Sequence, residues 1–189
     1  MIKIQVIIGS TREGRFGDKP AKWIFDMLSK KEGVEVELID LRDWPLPFFN
    51  EAVSPSMNQG KYANELAAKW AEKVGEADGY IMITPEYNHG YSAVLKNAID
   101  YVYNQWNNKP VAFVGYGSMG GARAIEQLRE VAVELQMTPI RAAVHIPGFW
   151  NYLDENGNLK TESFDKAAEG MLDQLIWWAK ALQSARTAQ

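Results

Sequence analysis

Five short runs rich in Val and Ile, at residues 2–8, 34–39, 80–84, 110–116 and 140–146, alternate along the chain with segments whose apolar residues fall at helical spacing. Unbroken apolar runs of this length suit strands buried on both faces of a parallel sheet. Between them, Ala21, Ile24, Phe25 and Leu28 fall at i, i+3, i+4 and i+7, with Asp18 placed as a cap and Pro20 in the first turn. Leu95, Ala98, Ile99 and Val102 repeat the spacing after Ser92, and Ile125, Leu128, Ala132 and Leu135 follow Gly121. Residues 61–74 carry Tyr62, Leu66, Trp70 and Val74 at steps of four, which favours a helix, and a last amphipathic helix runs from about Ser163 through Trp177 and Trp178 to Leu182. Five strands each followed by a helix predict right-handed crossovers and an α/β fold, a parallel sheet with helices on both faces. A length of 189 residues suits one domain spanning residues 1–189, with no internal repeat or linker. The one long irregular stretch, residues 42–60, contains Trp44-Pro45-Leu46-Pro47-Phe48-Phe49 and is expected to serve function or to cover an apolar surface.

Composition removes several classes of function. With no cysteine, disulfides, iron–sulfur clusters, thiolate nucleophiles and dithiol exchange are excluded. The two histidines, His89 and His145, lie far apart without acidic neighbours at ligand spacing, so no metal site is expected. A net charge of −4 with no block of Lys or Arg lacks the electrostatic footprint of a nucleic-acid binder. No apolar run approaches the roughly 18 residues of a membrane span. Met1-Ile2-Lys3-Ile4 enters a strand directly, without the regions of a signal peptide, and a cytoplasmic location is expected.

In a doubly wound sheet, ligands bind beyond the carboxyl ends of the strands, and the unusual residues of this chain lie there. After the first strand, Gly9-Ser10-Thr11-Arg12-Glu13-Gly14-Arg15-Phe16-Gly17 offers hydroxyls, two guanidinium groups and the N–H groups of a helix N-terminus, the equipment that holds a phosphate. After the third, Thr84-Pro85-Glu86-Tyr87-Asn88-His89-Gly90-Tyr91 forms a proline-restrained polar and aromatic turn suited to the edge and face of a flat ring. After the fourth, Gly115-Tyr116-Gly117-Ser118-Met119-Gly120-Gly121 matches G-x-G-x-x-G literally, the mark of a dinucleotide fold. It follows the fourth strand rather than the first, and the next strand ends in His145-Ile146-Pro147-Gly148 without an acidic ribose ligand. A glycine loop that lets backbone approach a ring is the better reading.

Gly9-Ser10-Thr11-Arg12, Pro85-Glu86-Tyr87-Asn88 with Leu95-Lys96-Asn97-Ala98-Ile99-Asp100, and Gly117-Ser118-Met119-Gly120-Gly121 together resemble the three signatures of the NAD(P)H-dependent FMN reductase family, which includes quinone, azo-dye and chromate reductases. The resemblance covers roughly the first four strand–helix units. It implies a three-layer flavodoxin-like fold with strand order 2-1-3-4-5, FMN as cofactor, NADPH or NADH as donor, a small-molecule acceptor, and a homodimer or homotetramer. It implies that Ser10, Arg12, Phe16 and Gly17, with Arg15 beside them, hold the phosphate. Pro85, Glu86, Tyr87, Asn88 and His89 would line the flavin, and Gly117 and Ser118 would approach it from the next loop. Arg15 and Gly17 stand where close relatives commonly have serine and asparagine. His89 follows the motif where small residues are frequent, and both substrate access and a solvated turn remain open for it.

The flavin carries the hydride chemistry in such enzymes, so no catalytic side chain is assigned. An electron carrier of the flavodoxin type, serving a protein partner, is the alternative; such carriers have strongly acidic surfaces and phosphate loops without arginine. A receiver-type signalling domain would need acidic residues at the ends of the first and third strands, where Gly9-Ser10-Thr11 and Thr84-Pro85 stand. Tyr101, Tyr103 and Trp106 extend beyond the Leu95–Val102 stripe, and either a subunit interface or the monomer's own core accounts for them.

Overall fold

In the computed structural model, which describes residues 1–188, the five apolar runs become β1 (Ile2–Ile8), β2 (Val34–Asp40), β3 (Gly79–Pro85), β4 (Pro110–Gly117) and β5 (Thr138–Pro147). They pair in parallel in the order β2-β1-β3-β4-β5. Every residue of β3 is buried, which is why its sequence shows no polar alternation. The crossovers are α1 (Asp18–Leu28), α2 (Glu65–Gly75), α3 (Ala93–Asp100) and α4 (Ala122–Glu134), and α5 (Asp165–Thr187) follows β5. This is the flavodoxin-like arrangement.

The sheet separates two apolar cores. On one face Ala21, Ile24 and Leu28 of α1 and Met171, Leu172 and Leu175 of α5 pack against Ile4, Ile81 and Val114. On the other, α2, α3 and α4 bury Trp70, Leu95, Ile99 and Leu128 against Tyr80 and Phe113. Each fully buried side chain of this size contributes about 1.5–3 kcal/mol relative to exposure.

Helix starts follow local chemistry where a side chain is free to cap. Ser92 Oγ accepts from Leu95 N–H at 3.2 Å, and Asn64 Oδ1 accepts from Leu66 N–H at 2.8 Å, so α2 begins at Glu65 with Tyr62 ahead of it. Asp18 is not a cap: Gly17 occupies that position, and the Asp18 carboxylate is drawn to Arg15 and Arg42. The irregular stretch after β2 covers the second core. Trp44 packs on Trp70 at 5.1 Å, Phe49 meets Tyr101 edge-on at 5.3 Å, and Asn97 holds the stretch by accepting from Phe49 N–H and donating to the Pro47 carbonyl, each at 2.8 Å. Helix α3 ends at Asp100, and Tyr101 and Trp106 turn into the core instead of extending an outward helix face. Of the three aromatics once open to an interface, only Tyr103 is partly exposed.

Because β1 lies between β2 and β3, the chain leaves it toward one edge and later returns to build the other. The crevice beyond the carboxyl ends of β1 and β3 is the switch point where such folds bind ligands.

Candidate functional site

Three loops meet at that crevice. In the first, Ser10 is buried, its Oγ lying 3.0 Å from Tyr87 Oη of the second loop. Arg12 is exposed, and its guanidinium makes no hydrogen bond or ion pair among the described residues. Arg15 is the reverse. Its side chain is 1% exposed, and its fork donates to Asp40 at 2.7 and 2.5 Å, to Asp18 at 2.8 Å and to the Ser10 carbonyl at 2.5 Å. Burial opposes the Arg15 charge, but the bonds to Asp40 and Asp18 outweigh it and hold the guanidinium protonated; Asp40 in turn lies below its ordinary value despite burial, through Arg15 and the N–H of Arg42. The sequence expectation of Arg15 as a phosphate ligand therefore meets a group already satisfied by protein carboxylates. Its part is to fasten the loop to the end of β2.

Phe16 packs between Tyr116, at 5.1 Å, and Phe149, at 4.4 Å, so its ring belongs to the core and only its backbone is left for a ligand. Gly17 caps α1 without a side-chain bond, and neither its N–H nor that of Phe16 is accepted by another described residue. A Cβ at Gly17 would stand 2.9 Å from Tyr116 Oη, so the close approach of that phenol requires glycine here.

The second loop is a tight reversal. Tyr87 and Gly90 exchange backbone hydrogen bonds at 2.8 and 3.0 Å, and Asn88 and His89 between them have φ of 50° and 69°. Two successive left-handed residues define a type I′ turn, a conformation that asparagine and histidine adopt more readily than most residues with side chains. The N–H of Glu86 donates to the Tyr116 carbonyl and that of Tyr87 to Gly90, leaving those of Asn88 and His89 turned to the exterior without a protein acceptor among the described residues. Pro85 ends β3 in full burial. Glu86, which could be read as a base, has a side chain 5% exposed and is clasped to α4: Arg123 N–H donates to Oε2 at 3.1 Å and Arg123 Nε to Oε1 at 2.6 Å. Burial alone would raise the Glu86 carboxyl, but Arg123 and the helix N–H groups hold it below its ordinary value. It is a fixed anion, not a proton acceptor.

In the third loop the glycines serve one another. A Cβ at Gly115 would meet the Gly120 carbonyl at 2.6 Å and one at Gly121 would meet Gly115 Cα at 2.7 Å, so most of this G-x-G-x-x-G match is self-packing of the loop rather than an open ligand surface. Gly117 lies against Glu86 Cβ, while Ser118 and Met119 are exposed beside the crevice.

Sequence reading missed four contributors. Asp40 and Arg123 are the distant partners that fix Arg15 and Glu86; Phe149 closes over Phe16; and Tyr116 sat inside the glycine motif as a strand residue. Tyr116 is 4% exposed, and its Oη is buried without a hydrogen-bond partner. An uncapped helix N-terminus, two unspent N–H groups, a free arginine and an orphaned phenol converge on the first loop. These residues fit a phosphate monoester. A groove of about 740 Å³ starts at Asp18, the partner of Arg15, next to the first loop and is lined further by Lys22, Trp23, Asp26, Asn158 and Asp165; it includes no residue of the three loops themselves.

A flavodoxin-like fold whose first loop presents donors without protein acceptors beside the β1–β3 crevice is the class that the structure defines. The chain belongs to the NADPH-dependent FMN reductase family, whose model matches residues 2–151. An NAD(P)H-dependent FMN reductase of Schizosaccharomyces pombe is 34% identical over 188 residues, covering 98% of this chain and 86% of that protein. A 2-hydroxy-1,4-benzoquinone reductase of Burkholderia sp is 27% identical over 187 residues, covering 95% and 97%. Among solved structures, FerB, a flavoenzyme NAD(P)H:(acceptor) oxidoreductase from Paracoccus denitrificans, superposes with a TM-score of 0.74 at 26% identity, covering 96% of this chain and 98% of that one. The protein is an NAD(P)H-dependent oxidoreductase with FMN as its flavin.

Proposed function

We propose that the three loops hold FMN at the β1–β3 switch point and that the enzyme passes electrons from NADPH or NADH to a small acceptor such as a quinone, free flavin, azo compound or chromate. The observation that carries this reading is the first loop: Arg12 and the N–H groups of Phe16 and Gly17 at the uncapped end of α1 are donors that no described protein group accepts from, the one carboxylate of that first turn, Asp18, being paired with Arg15 and Arg42. Ser10 and Gly17 would seat the phosphate with them, and Arg15 would hold the loop in shape from behind. Pro85, Glu86, Tyr87, Asn88 and His89, with Gly117 and Ser118, would border the ring, the N–H groups of Asn88 and His89 being the unspent donors. When bound, FMN supplies the two-electron chemistry by accepting hydride from the nicotinamide and yielding the electrons to the acceptor. No side chain need donate or remove a proton in this scheme, which agrees with Glu86 being locked to Arg123.

The chain acts as one domain on small molecules. No described helix is long and apolar enough to cross a membrane, and the proposed setting is the cytoplasm. Exposed Phe48, Met57, Met119 and Trp150 offer apolar surface for association into a homodimer or homotetramer.

Donor and acceptor would visit the same side of the crevice in turn, so initial rates with NADPH and a quinone should give parallel double-reciprocal lines. Intersecting lines, the mark of a ternary complex, would overturn the shared-site reading.

A further inference from the structure

We infer that Tyr116 is the floor of the phosphate loop: its phenol O–H donates to the FMN phosphate, filling the place that a side chain at position 17 would otherwise take. The inference rests on the reading that the first loop holds that phosphate, and it goes beyond it by assigning a ligand from β4 that none of the three motifs marks.

Two independent observations converge on it. The N-terminus of α1, an 11-residue helix, has no side-chain cap, and the N–H groups of Phe16 and Gly17 lack acceptors among the described residues. Directly against Gly17 stands Tyr116 Oη, buried and without a partner. No described group completes a hydrogen bond to it: the nearby Ser10 Oγ is paired with Tyr87 Oη at 3.0 Å, and the Phe16 and Phe149 rings flank the phenol. Burial pushes the phenol up from its ordinary value and keeps it protonated. The group is thus a donor throughout the working range. A phosphate oxygen is the acceptor that would satisfy it together with the two N–H groups, the contact forming as the exposed residues 11–14 settle around the anion. Gly17 makes the arrangement possible. Its φ of −55° and ψ of −23° suit any residue, so the reason for glycine is space for the phenol and not backbone strain.

Tyr116→Phe removes the hydroxyl and keeps the ring between Phe16 and Phe149. Titration of apoprotein by flavin fluorescence quenching should show FMN binding weakened roughly 10- to 100-fold, with riboflavin, which lacks the phosphate, bound as by wild type. The melting temperature of the variant apoprotein should equal or exceed that of wild type, because an unpaired polar group has been deleted, while the rise produced by FMN shrinks. Gly17→Ala, whose Cβ displaces the phenol, should weaken FMN binding in the wild-type background and add no further loss in Tyr116→Phe. If Tyr116→Phe retains the full preference for FMN over riboflavin, the assignment fails while the phosphate loop stands. Equal weakening of both ligands, with a lower apoprotein melting temperature, would make Tyr116 a packing residue and also overturn it. If wild type itself binds the two flavins equally, the phosphate-loop reading fails, and the Tyr116 contact with it.

Discussion

Two arginines three positions apart in the same loop have opposite fates. Arg15 is buried against Asp40 and Asp18, whereas Arg12 stands exposed with its guanidinium free among the described residues. Arg12→Ala should therefore weaken FMN binding and leave riboflavin nearly unchanged; a hydrogen bond between charged groups is worth roughly 1.5–3 kcal/mol, so the loss is on the order of 10- to 150-fold. Fluorescence titration of the apoprotein with the two flavins checks this, and unchanged FMN affinity would return Arg12 to the solvated surface. Sequence spacing brought both arginines to one strand–helix junction but could not divide their roles, because the carboxylate that claims Arg15 comes from the end of another strand. Tyr116 was illegible for a related reason. As the last aromatic of an apolar run it reads as strand, and only the packed fold shows its hydroxyl reaching the start of α1.

Strands were the most legible elements, since burial on both faces leaves an unbroken apolar run whose limits fall within a few residues of those observed. Helices were legible where Ser92 caps locally and less so at Asp18, where ion pairs from Arg15 and Arg42 override local preference. Clasps between elements leave no local trace. Glu86 and Arg123 are 37 residues apart, yet they bind the loop after β3 to the first turn of α4. Glu86→Gln should lower stability by about 1–3 kcal/mol, as expected for loss of a charge-assisted bond to a buried group. The sign of its pH dependence follows from the Glu86 carboxyl lying below its ordinary value in the fold. The clasp contributes fully above the unfolded value and is lost as pH falls through the folded one, so the melting-temperature gap between wild type and Glu86→Gln should narrow as the pH is lowered from neutral to below the ordinary carboxylate range. A gap that stays constant over that range would show that the carboxylate charge does not stabilise the fold.

For the molecule as a whole, alternation of strands and helices revealed a parallel sheet, while the order 2-1-3-4-5 came from the resemblance of three loop motifs and agrees with the observed pairing. That order matters because it opens the crevice beyond β1 and β3, where the first loop meets the Pro85–Asn88 turn and the glycine loop follows from β4. It also fits a chain that performs redox chemistry without cysteine or a clustered metal site among its described residues: in the proposed arrangement the fold would contribute an anion anchor and a bordered crevice, and the cofactor the electrons' path. The most direct test is the visible spectrum of the protein as purified, without added flavin, recorded without oxygen before and after addition of NADPH or, in a separate sample, NADH, with the cofactor afterwards released by heat and identified. The expected result is a yellow protein whose flavin bands bleach on addition of at least one nucleotide and which releases FMN. Release of FAD, or flavin bands that neither nucleotide bleaches, would contradict an NAD(P)H-dependent FMN enzyme, the second outcome pointing to an electron carrier on the same fold.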